Sequence, residues 1–237
     1  MKSRNLFVVL LLMVGIQTAF AQNFKVYLSS KQVVEYSIEQ VDSIVFVEGT
    51  ADIPDAHEYV DLGLPSGILW ATCNVGAMSP ERSGYYFAWG ETQPKEDYTW
   101  STYKYKVGYK WWELEPMDDA ATANWGSDWQ MPSYEQWAEL INSNYVTTTW
   151  TTLNGAKGMK IVSKQNGNSL FLPAVGSREE TAYNGWGSGG AYWSRSLHAS
   201  NSDYAYYLFF NSSGYIKASY NGFRCYGRSV RPVRVQK

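Results

Sequence analysis

The C-terminal half of the chain is a succession of short strand-like segments that follow one well-marked helix. The segments are rich in apolar residues and are separated by Asn, Gly and Ser, which are typical of turns. They span residues 158–163, 169–173, 190–194, 205–210 and 229–235. This order of elements excludes a helical bundle and an alternating βαβ sheet. It predicts an α+β fold with two short helices, many short strands and long irregular loops.

The clearest helix is predicted over residues 133–142. A serine at its first position and a glutamine three residues later have the spacing of a capping box. Trp137, Leu140 and Ile141 follow at helical spacing, which predicts one buried face. A shorter helix is predicted over residues 118–124, a segment that begins with Asp and contains three Ala.

Residues 1–21 have the three parts of a secretory signal peptide. Lys2 and Arg4 give a positive start, residues 6–16 are apolar, and Ala19-Phe20-Ala21 has the form of a cleavage site. The apolar run is too short to cross a bilayer as a helix, and no other segment approaches the length needed. We therefore expect an exported protein without a membrane span, located in the periplasm, on the cell surface or outside the cell.

The rest of the chain divides by composition into three parts. Residues 22–48 are expected to form a small strand module with a hairpin of residues 24–27 and 32–36. Residues 49–57 are small, polar and contain Pro, as is typical of a linker. Residues 58–237 are expected to form one domain. Its upstream strands are predicted at 59–64, 67–73 and 85–90.

Composition narrows the functions open to the chain. Trp, Tyr and Phe make up 16% of it and charged residues only 18%, which excludes a disordered chain. Its net charge is −2, and it has no basic run that would attract nucleic acid or an anionic membrane. We expect the core to be rich in tryptophan. The residues concerned are Trp70, Trp89, Trp125, Trp129, Trp137 and Trp193.

No catalytic or metal-binding set stands out. His57 falls in the linker and His198 in a loop of Ser and Asn, so no Ser or Cys has a predicted base beside it. An acidic cluster precedes the shorter helix and consists of Glu113, Glu115, Asp118 and Asp119. Because carboxylates are favoured at helix N-termini, capping explains the cluster better than catalysis or calcium binding. The sequence predicts no enzyme, no cofactor and no metal site.

Six separated blocks of the chain occur in the same order in a known family. They are YVDLGLPSGILWATCNVGA (59–77), YYFAWGET (85–92), ELEPMDDAATANWGSDWQMPSYEQWAEL (113–140), FLPAVGSR (171–178), GAYWS (190–194) and SVRPV (229–233). On these blocks the domain resembles the Fibrobacter succinogenes major paralogous domain. The resemblance implies a C-type lectin-like fold, in the branch shared with formylglycine-generating enzymes. Residues 27–46 resemble a small module that often precedes such domains in exported proteins.

The chain departs from the active members of these groups. Formylglycine-generating enzymes bind copper through a pair of cysteines, but neither Cys73 nor Cys225 lies in a matching motif. The E-P-N, Q-P-D and W-N-D triplets of calcium-dependent lectins are absent from the sequence. The resemblance therefore implies the fold, and neither chemistry carries over.

The C-terminal segment has an unusual composition. Of the 172 residues from Gln22 to Trp193, 35 are Glu, Gln, Met or Trp, whereas none of the 42 residues from Ser194 to Val235 is one of these. About eight would be expected at the same frequency. Residues 194–228 resemble the variable regions of retroelement-diversified proteins, in which errors at template adenines scatter Asn codons. The resemblance implies that Cys225 is a variable outcome, so we expect that Cys73 and Cys225 are not both required for folding.

Alternation indicates which side chains of this segment face solvent. In residues 205–211, Tyr206, Leu208 and Phe210 share one face and are predicted to be core. Tyr207 and Phe209 share the other face. We expect one solvent-facing ligand-binding surface. Its residues are Arg195, Asp203, Tyr204, Tyr207, Phe209, Tyr215, Tyr220, Asn221, Gly222, Phe223 and Cys225.

The function predicted from these observations is an exported, non-enzymatic binding protein whose diversifiable C-terminal surface binds an unknown protein or glycan. Exposed aromatic rings among Ser, Asn and Gly favour this interpretation, because antibody combining surfaces have the same composition. One alternative is an ordinary cell-surface adhesin or carbohydrate-binding module of the same fold. A second is an oxidase related to formylglycine-generating enzymes.

Overall fold

A computed structural model describes residues 23–27, 33–37, 57–106 and 112–234 of the protein, with side chains from residue 57 onward. By its contacts the chain divides into two compact units, Met1–Pro54 and Asp55–Lys237. In the first unit, β1 (Asn23–Tyr27) and β2 (Val33–Ser37) pair as the predicted antiparallel hairpin. The predicted signal peptide and most of the predicted linker lie outside the described residues.

Strands predominate in the second unit, and its described helices are short. The strands are β3 (Tyr59–Asp61), β4 (Leu69–Ala71), β5 (Tyr86–Phe87), β6 (Trp129–Gln130), β7 (Val146–Leu153), β8 (Ala156–Ser163), β9 (Ser169–Pro173), β10 (Ser177–Glu179), β11 (Ala182–Asn184), β12 (Gly189–Leu197), β13 (Tyr204–Asn211), β14 (Ile216–Phe223), β15 (Arg228–Ser229) and β16 (Val233–Arg234). The helices are α1 (Ala120–Trp125) and α2 (Tyr134–Leu140). This content is compatible with the predicted α+β class. Neither described helix is long enough to span a membrane.

The strands of this unit form several small sheets. The largest has the order β14-β13-β12-β15-β5, in which β12 and β15 run parallel. A second sheet has the order β3-β4-β16-β6, and a third has the order β7-β8-β9. The hairpin of β10 and β11 forms a separate two-stranded sheet. The segment predicted as one strand at 229–235 is divided between the first two sheets, as β15 and β16.

Both helices begin where their capping residues predict. Ser133 forms the predicted capping box with Gln136 at the start of α2. The Asp119 carboxylate accepts hydrogen bonds from the backbone N–H groups of Ala121 and Thr122, which makes it the N-cap of α1. It also accepts from the backbone N–H of Met131, at 2.9 Å, and so joins α1 to the segment that leads into α2. Capping by a member of the acidic cluster is confirmed.

Tryptophans form much of the core, as predicted. Five of the six predicted residues are buried, and Trp125 is half-buried. The indole N–H groups of two of them connect distant segments: Trp89 donates to the Ser194 carbonyl at 2.9 Å, and Trp193 donates to the Phe87 carbonyl at 2.8 Å. A buried indole N–H without a partner would cost free energy, so these bonds stabilise the arrangement of the strands.

The closing segment is anchored by a buried arginine. The Arg231 side chain is fully buried, and its Nε donates to Asn74 Oδ1 at 2.8 Å. Its Nη1 donates to the carbonyl oxygens of Ala71 and Thr72. Burial lowers the pKa of Arg231 to about 10, which leaves the guanidinium charged at neutral pH. The arginine of the SVRPV block therefore has a structural role.

Candidate ligand-binding surface

The hairpin of β13 and β14 has an inner and an outer face. Leu208 and Phe210 are fully buried on the inner face, as predicted. Tyr206 lies on the same side but is only half-buried. Its ring packs against that of Tyr134 of α2, at 5.1 Å between centroids, and Tyr134 is itself half-buried. The predicted alternation of β13 is therefore correct, and Phe209 lies on the outer face with Tyr207.

Four aromatic rings meet on the outer face, and we call them the hairpin aromatic cluster: Tyr207, Phe209, Tyr215 and Tyr220. The Tyr220 ring lies 5.0 Å from Phe209 and 5.5 Å from Tyr207, measured between centroids. Tyr215 lies 6.2 Å from both Phe209 and Tyr220. Tyr215 is 44% exposed and Tyr220 is 38% exposed. The outer two rings of the cluster therefore offer aromatic surface to solvent.

The turn between β13 and β14 is held by one side chain. Asn211 Oδ1 accepts hydrogen bonds from the backbone N–H groups of Ser213, at 3.0 Å, and Tyr215, at 3.3 Å. Gly214 has a φ of 82°, a left-handed conformation that glycine adopts without strain. These contacts fix the position of Tyr215 at the tip of the hairpin.

Tyr207 is a correction to the predicted surface, because it is 8% exposed and therefore buried. The Arg228 guanidinium lies between two rings, with its carbon 3.9 Å from the Tyr207 centroid and 4.1 Å from the Trp193 centroid. Because Arg228 covers one face of the ring and Tyr220 packs against it, Tyr207 has little surface left for a ligand. Tyr207 therefore supports the exposed rings of the cluster.

Arg228 itself is buried and forms no salt bridge with a described residue, although the Glu179 carboxylate interacts with it electrostatically. Its Nε and Nη1 atoms have no hydrogen-bond partner, and burial lowers its pKa. Its Nη2 fills the space beside Gly222, where an added Cβ would lie 2.3 Å away. Contact with two aromatic faces offsets part of the cost of burying this cation.

A cavity of about 480 Å³ adjoins the hairpin aromatic cluster. Tyr207, Phe209 and Arg228 form one wall. Small residues and turns form most of the rest, with Glu179 as the acidic side chain of the lining. The cluster is therefore the edge of a concave site that has room for part of a ligand.

Cys225 is the second correction, since it is 1% exposed and packs in the core. It follows the end of β14, so the alternation that places outer residues of the hairpin no longer applies to it. Cys225 and Cys73 are free thiols in the structure. Burial raises the pKa of the Cys225 thiol to about 11.

Two predicted residues form a separate stack at the other end of the strand pair. The Tyr204 and Phe223 rings are stacked at 4.7 Å between centroids, and both are half-buried. Trp100 contacts Phe223 at 6.0 Å, edge to face. By the register of β13 and β14, Tyr204 and Phe223 share the face of Tyr206, so the stack lies on the side opposite the hairpin aromatic cluster and the predicted single surface is wrong for these two residues.

The remaining predicted residues differ in their surroundings. Asp203 and Asn221 are exposed, and Gly222 is half-buried against Arg228. Arg195 is half-buried, and its Nη1 donates to Gln130 Oε1 at 2.6 Å. Its Nε also lies 3.2 Å from Glu113 Oε2. These partners belong to the segments around α1 and β6, so Arg195 is not part of the hairpin surface.

Sequence reasoning missed Arg228, which belongs to this site through its contacts with Tyr207 and Gly222. Its position directly before the SVRPV block gave no signal of a contact with β13.

No protein-family model, curated protein or solved structure matches the chain.

Proposed function

We propose that the chain is an exported, non-enzymatic binding protein whose ligand, a protein or a glycan, binds the outer face of the β13–β14 hairpin. The observation that carries this proposal is the hairpin aromatic cluster. Tyr215 and Tyr220 are exposed, while Leu208 and Phe210 on the opposite face are fully buried. A rigid inner face lets the outer residues vary without loss of the fold.

The composition of the outer face supports the same proposal. Tyr215 and Tyr220 stand beside exposed polar residues of the turn, Ser212 and Ser213. Tyrosine supplies rigid contact area at low entropic cost, and small polar residues supply adaptable hydrogen bonds. Exposed aromatic clusters of this kind are typical of interaction sites.

The proposal includes a C-type lectin-like fold and kinship with the Fibrobacter succinogenes major paralogous domain. It is supported by the structural roles of the residues in the quoted blocks. Met131 binds the Asp119 cap, Ser133 caps α2 and Arg231 anchors the closing segment. Each of these residues fixes a junction between elements, so the blocks that carry the resemblance have structural roles in this chain.

The proposal that a retroelement diversified this surface is tested by the DNA sequence around the gene. We expect a reverse transcriptase gene nearby and a near-repeat of the 3′ end of the coding sequence, with Asn codons at the variable positions. Sequencing the locus and its relatives decides this. A locus without both features contradicts diversification and leaves an ordinary adhesin as the better proposal.

The binding surface is tested by display of randomised libraries. One library varies exposed residues of the outer face and its turn, Ser212, Ser213, Tyr215 and Tyr220, and it is selected against lysozyme and against streptavidin. We expect folded variants that bind one target and not the other. A matched library at the buried residues Leu208 and Phe210 should yield few folded variants. If the first library folds but gives no specific binder, the hairpin is not a binding surface.

A further inference from the structure

A second concave site lies on the other side of the β10–β11 hairpin. Ser177 and Glu179 line the cavity beside the hairpin aromatic cluster, whereas Arg178, between them, lines a cleft of about 570 Å³. Tyr183, the register partner of Arg178, lines the same cleft. All residues that line the cleft lie outside segment 194–228, so none of the proposed variable residues contributes a side chain to it.

Three exposed aromatic side chains surround this cleft. Tyr85 is 50% exposed, Tyr183 is 58% exposed and Trp186 is 57% exposed. The Tyr183 ring meets the Trp186 ring edge to face at 5.7 Å between centroids. Leaving three large rings of one cleft in water is unfavourable unless a ligand uses them.

The rings are held in place by the framework. Tyr85 lies over Gly76, where an added Cβ would come within 2.3 Å of the Tyr85 ring. Tyr86, which lines the floor, donates its hydroxyl to the Val175 carbonyl at 2.6 Å. Tyr98 donates to the Tyr86 carbonyl at 2.6 Å. The cleft is therefore pre-formed, which lowers the entropic cost of binding.

Charged groups stand beside the rings. The Arg178 guanidinium carbon lies 4.5 Å from the Tyr183 centroid, and its Nη2 donates to the Glu96 carbonyl at 2.9 Å. The Glu96 carboxylate is almost fully exposed. Lys95 also lines the cleft, but its Nζ is held by the Glu91 carboxylate at 2.8 Å and donates to the Thr102 carbonyl at 3.3 Å. The site thus combines flat apolar faces with a guanidinium and an exposed carboxylate.

We propose that this cleft binds a glycan, with pyranose rings stacked on Tyr85, Tyr183 and Trp186. A pyranose has an apolar C–H face that matches an aromatic ring, and hydroxyl groups at its edge that both donate and accept hydrogen bonds. The exposed Glu96 carboxylate accepts hydrogen bonds from hydroxyl groups of the sugar, and the Arg178 guanidinium donates to them.

The lining argues against two other occupants. An amphipathic helix needs a groove for aliphatic anchors, but this cleft has no Leu, Ile, Val or Met in its lining. A proline-rich segment does bind aromatic grooves, but its backbone offers carbonyl acceptors and few N–H donors. The Glu96 carboxylate would then face a ligand with little to donate to it.

The test is isothermal titration calorimetry of the full chain with four soluble hexamers: cellohexaose, mannohexaose, xylohexaose and hexagalacturonate. We expect saturable binding of at least one. The Trp186→Ala and Tyr183→Ala variants should each weaken it at least tenfold. Trp112→Ala and Tyr59→Ala, which truncate exposed rings outside the cleft, should leave the affinity unchanged. A preference for hexagalacturonate over the neutral hexamers would assign the charge of the bound sugar.

Two results overturn the proposal. One is the absence of binding by all four sugars, and the other is binding that survives both cleft variants. Binding of a proline decapeptide, lost in Trp186→Ala, would assign the cleft to proline-rich segments instead. The Tyr215→Ser/Tyr220→Ser variant serves as a further control, because it removes the proposed variable surface and should leave glycan affinity unchanged. The experiment thereby distinguishes failure of the proposal for the cleft from failure of the proposal for the hairpin aromatic cluster.

Discussion

The Arg228 guanidinium covers the Tyr207 ring at 3.9 Å, carbon to centroid. Arg228 begins β15, which lies on the opposite side of β12 from β13 in the sheet. A residue of the closing segment therefore supports the base of the hairpin aromatic cluster. The exposed Tyr220 ring packs on Tyr207 at 5.5 Å between centroids, and Tyr215 packs in turn on Tyr220 and Phe209.

We expect Arg228→Lys to destabilise the protein more than Arg228→Met. A lysine keeps the charge but has no planar group to lie between the Trp193 and Tyr207 rings, and an ammonium is more strongly hydrated. Because no described carboxylate forms a salt bridge with Arg228, an apolar side chain of similar length removes the cost of burying the charge. The lysine variant should lose about 1–3 kcal/mol, and the methionine variant less than about 1 kcal/mol.

Chemical denaturation of the two variants measures this difference. Arg234→Lys, at a half-buried arginine of β16, is the control for a general effect of the substitution. Equal losses for Arg228→Lys and Arg228→Met would show that neither ring contact nor charge burial decides the stability at this position.

The two faces of β13 and β14 should differ in their tolerance of substitution. Tyr215→Ser and Tyr220→Ser remove exposed rings, and each should change the free energy of unfolding by less than about 1 kcal/mol. Leu208→Ala, at a fully buried position, should cost about 2–5 kcal/mol. Thermal and urea unfolding of the three variants measures the contrast. Comparable losses on both faces would mean that the outer rings belong to the core.

Elements with local signals could be predicted from the sequence. The capping box and the spacing of Trp137 and Leu140 predicted α2, and alternation predicted the inner face of β13. β7 was missed because its sequence, VTTTWTTL, has few apolar residues to alternate. β14 was missed because half of its eight residues are Lys, Ser, Asn and Gly, which interrupt an alternation of apolar residues. Its strand conformation depends on pairing with β13.

The surface was harder to predict because its boundaries depend on contacts distant in sequence. Local alternation gave the direction of Tyr207 correctly, but burial by Arg228, 21 residues later, requires the closing segment to fold back. The partners of Arg195 at Gln130 and Glu113 are likewise remote. Periodicity reports which way a side chain points and not what covers it.

The two thiols should differ in reactivity. Cys225 is buried with its pKa raised to about 11, so at pH 8 about one part in a thousand of it is thiolate. Cys73 is half-buried. In the single-cysteine variants Cys73→Ser and Cys225→Ser, we expect a thiol reagent to label Cys73 much faster than Cys225. Labelling of denatured samples is the control, and equal rates in the folded protein would contradict the burial of Cys225.

Loss of both thiols should affect folding little, because they form no bridge. The Cys73→Ser/Cys225→Ala double variant, with an apolar replacement at the buried position, should melt within a few degrees of the parent. A loss equivalent to about 2–4 kcal/mol would instead indicate a native disulfide. Circular dichroism melting curves under oxidising and reducing conditions measure this.

Asp119→Ala should be more destabilising than the removal of an ordinary helix cap. The Asp119 carboxylate accepts from Ala121 and Thr122 at the start of α1 and, across the chain, from Met131. Loss of the cap costs about 1–2 kcal/mol, and the buried Met131 N–H left without a partner adds about 1–3 kcal/mol. Ser133→Ala, which removes the cap of α2 and its bond from the Gln136 N–H, is the matched control and should cost about 1 kcal/mol. Urea unfolding of the two variants measures the difference, and losses of equal size would mean that Asp119 does not join α1 to the strand before α2.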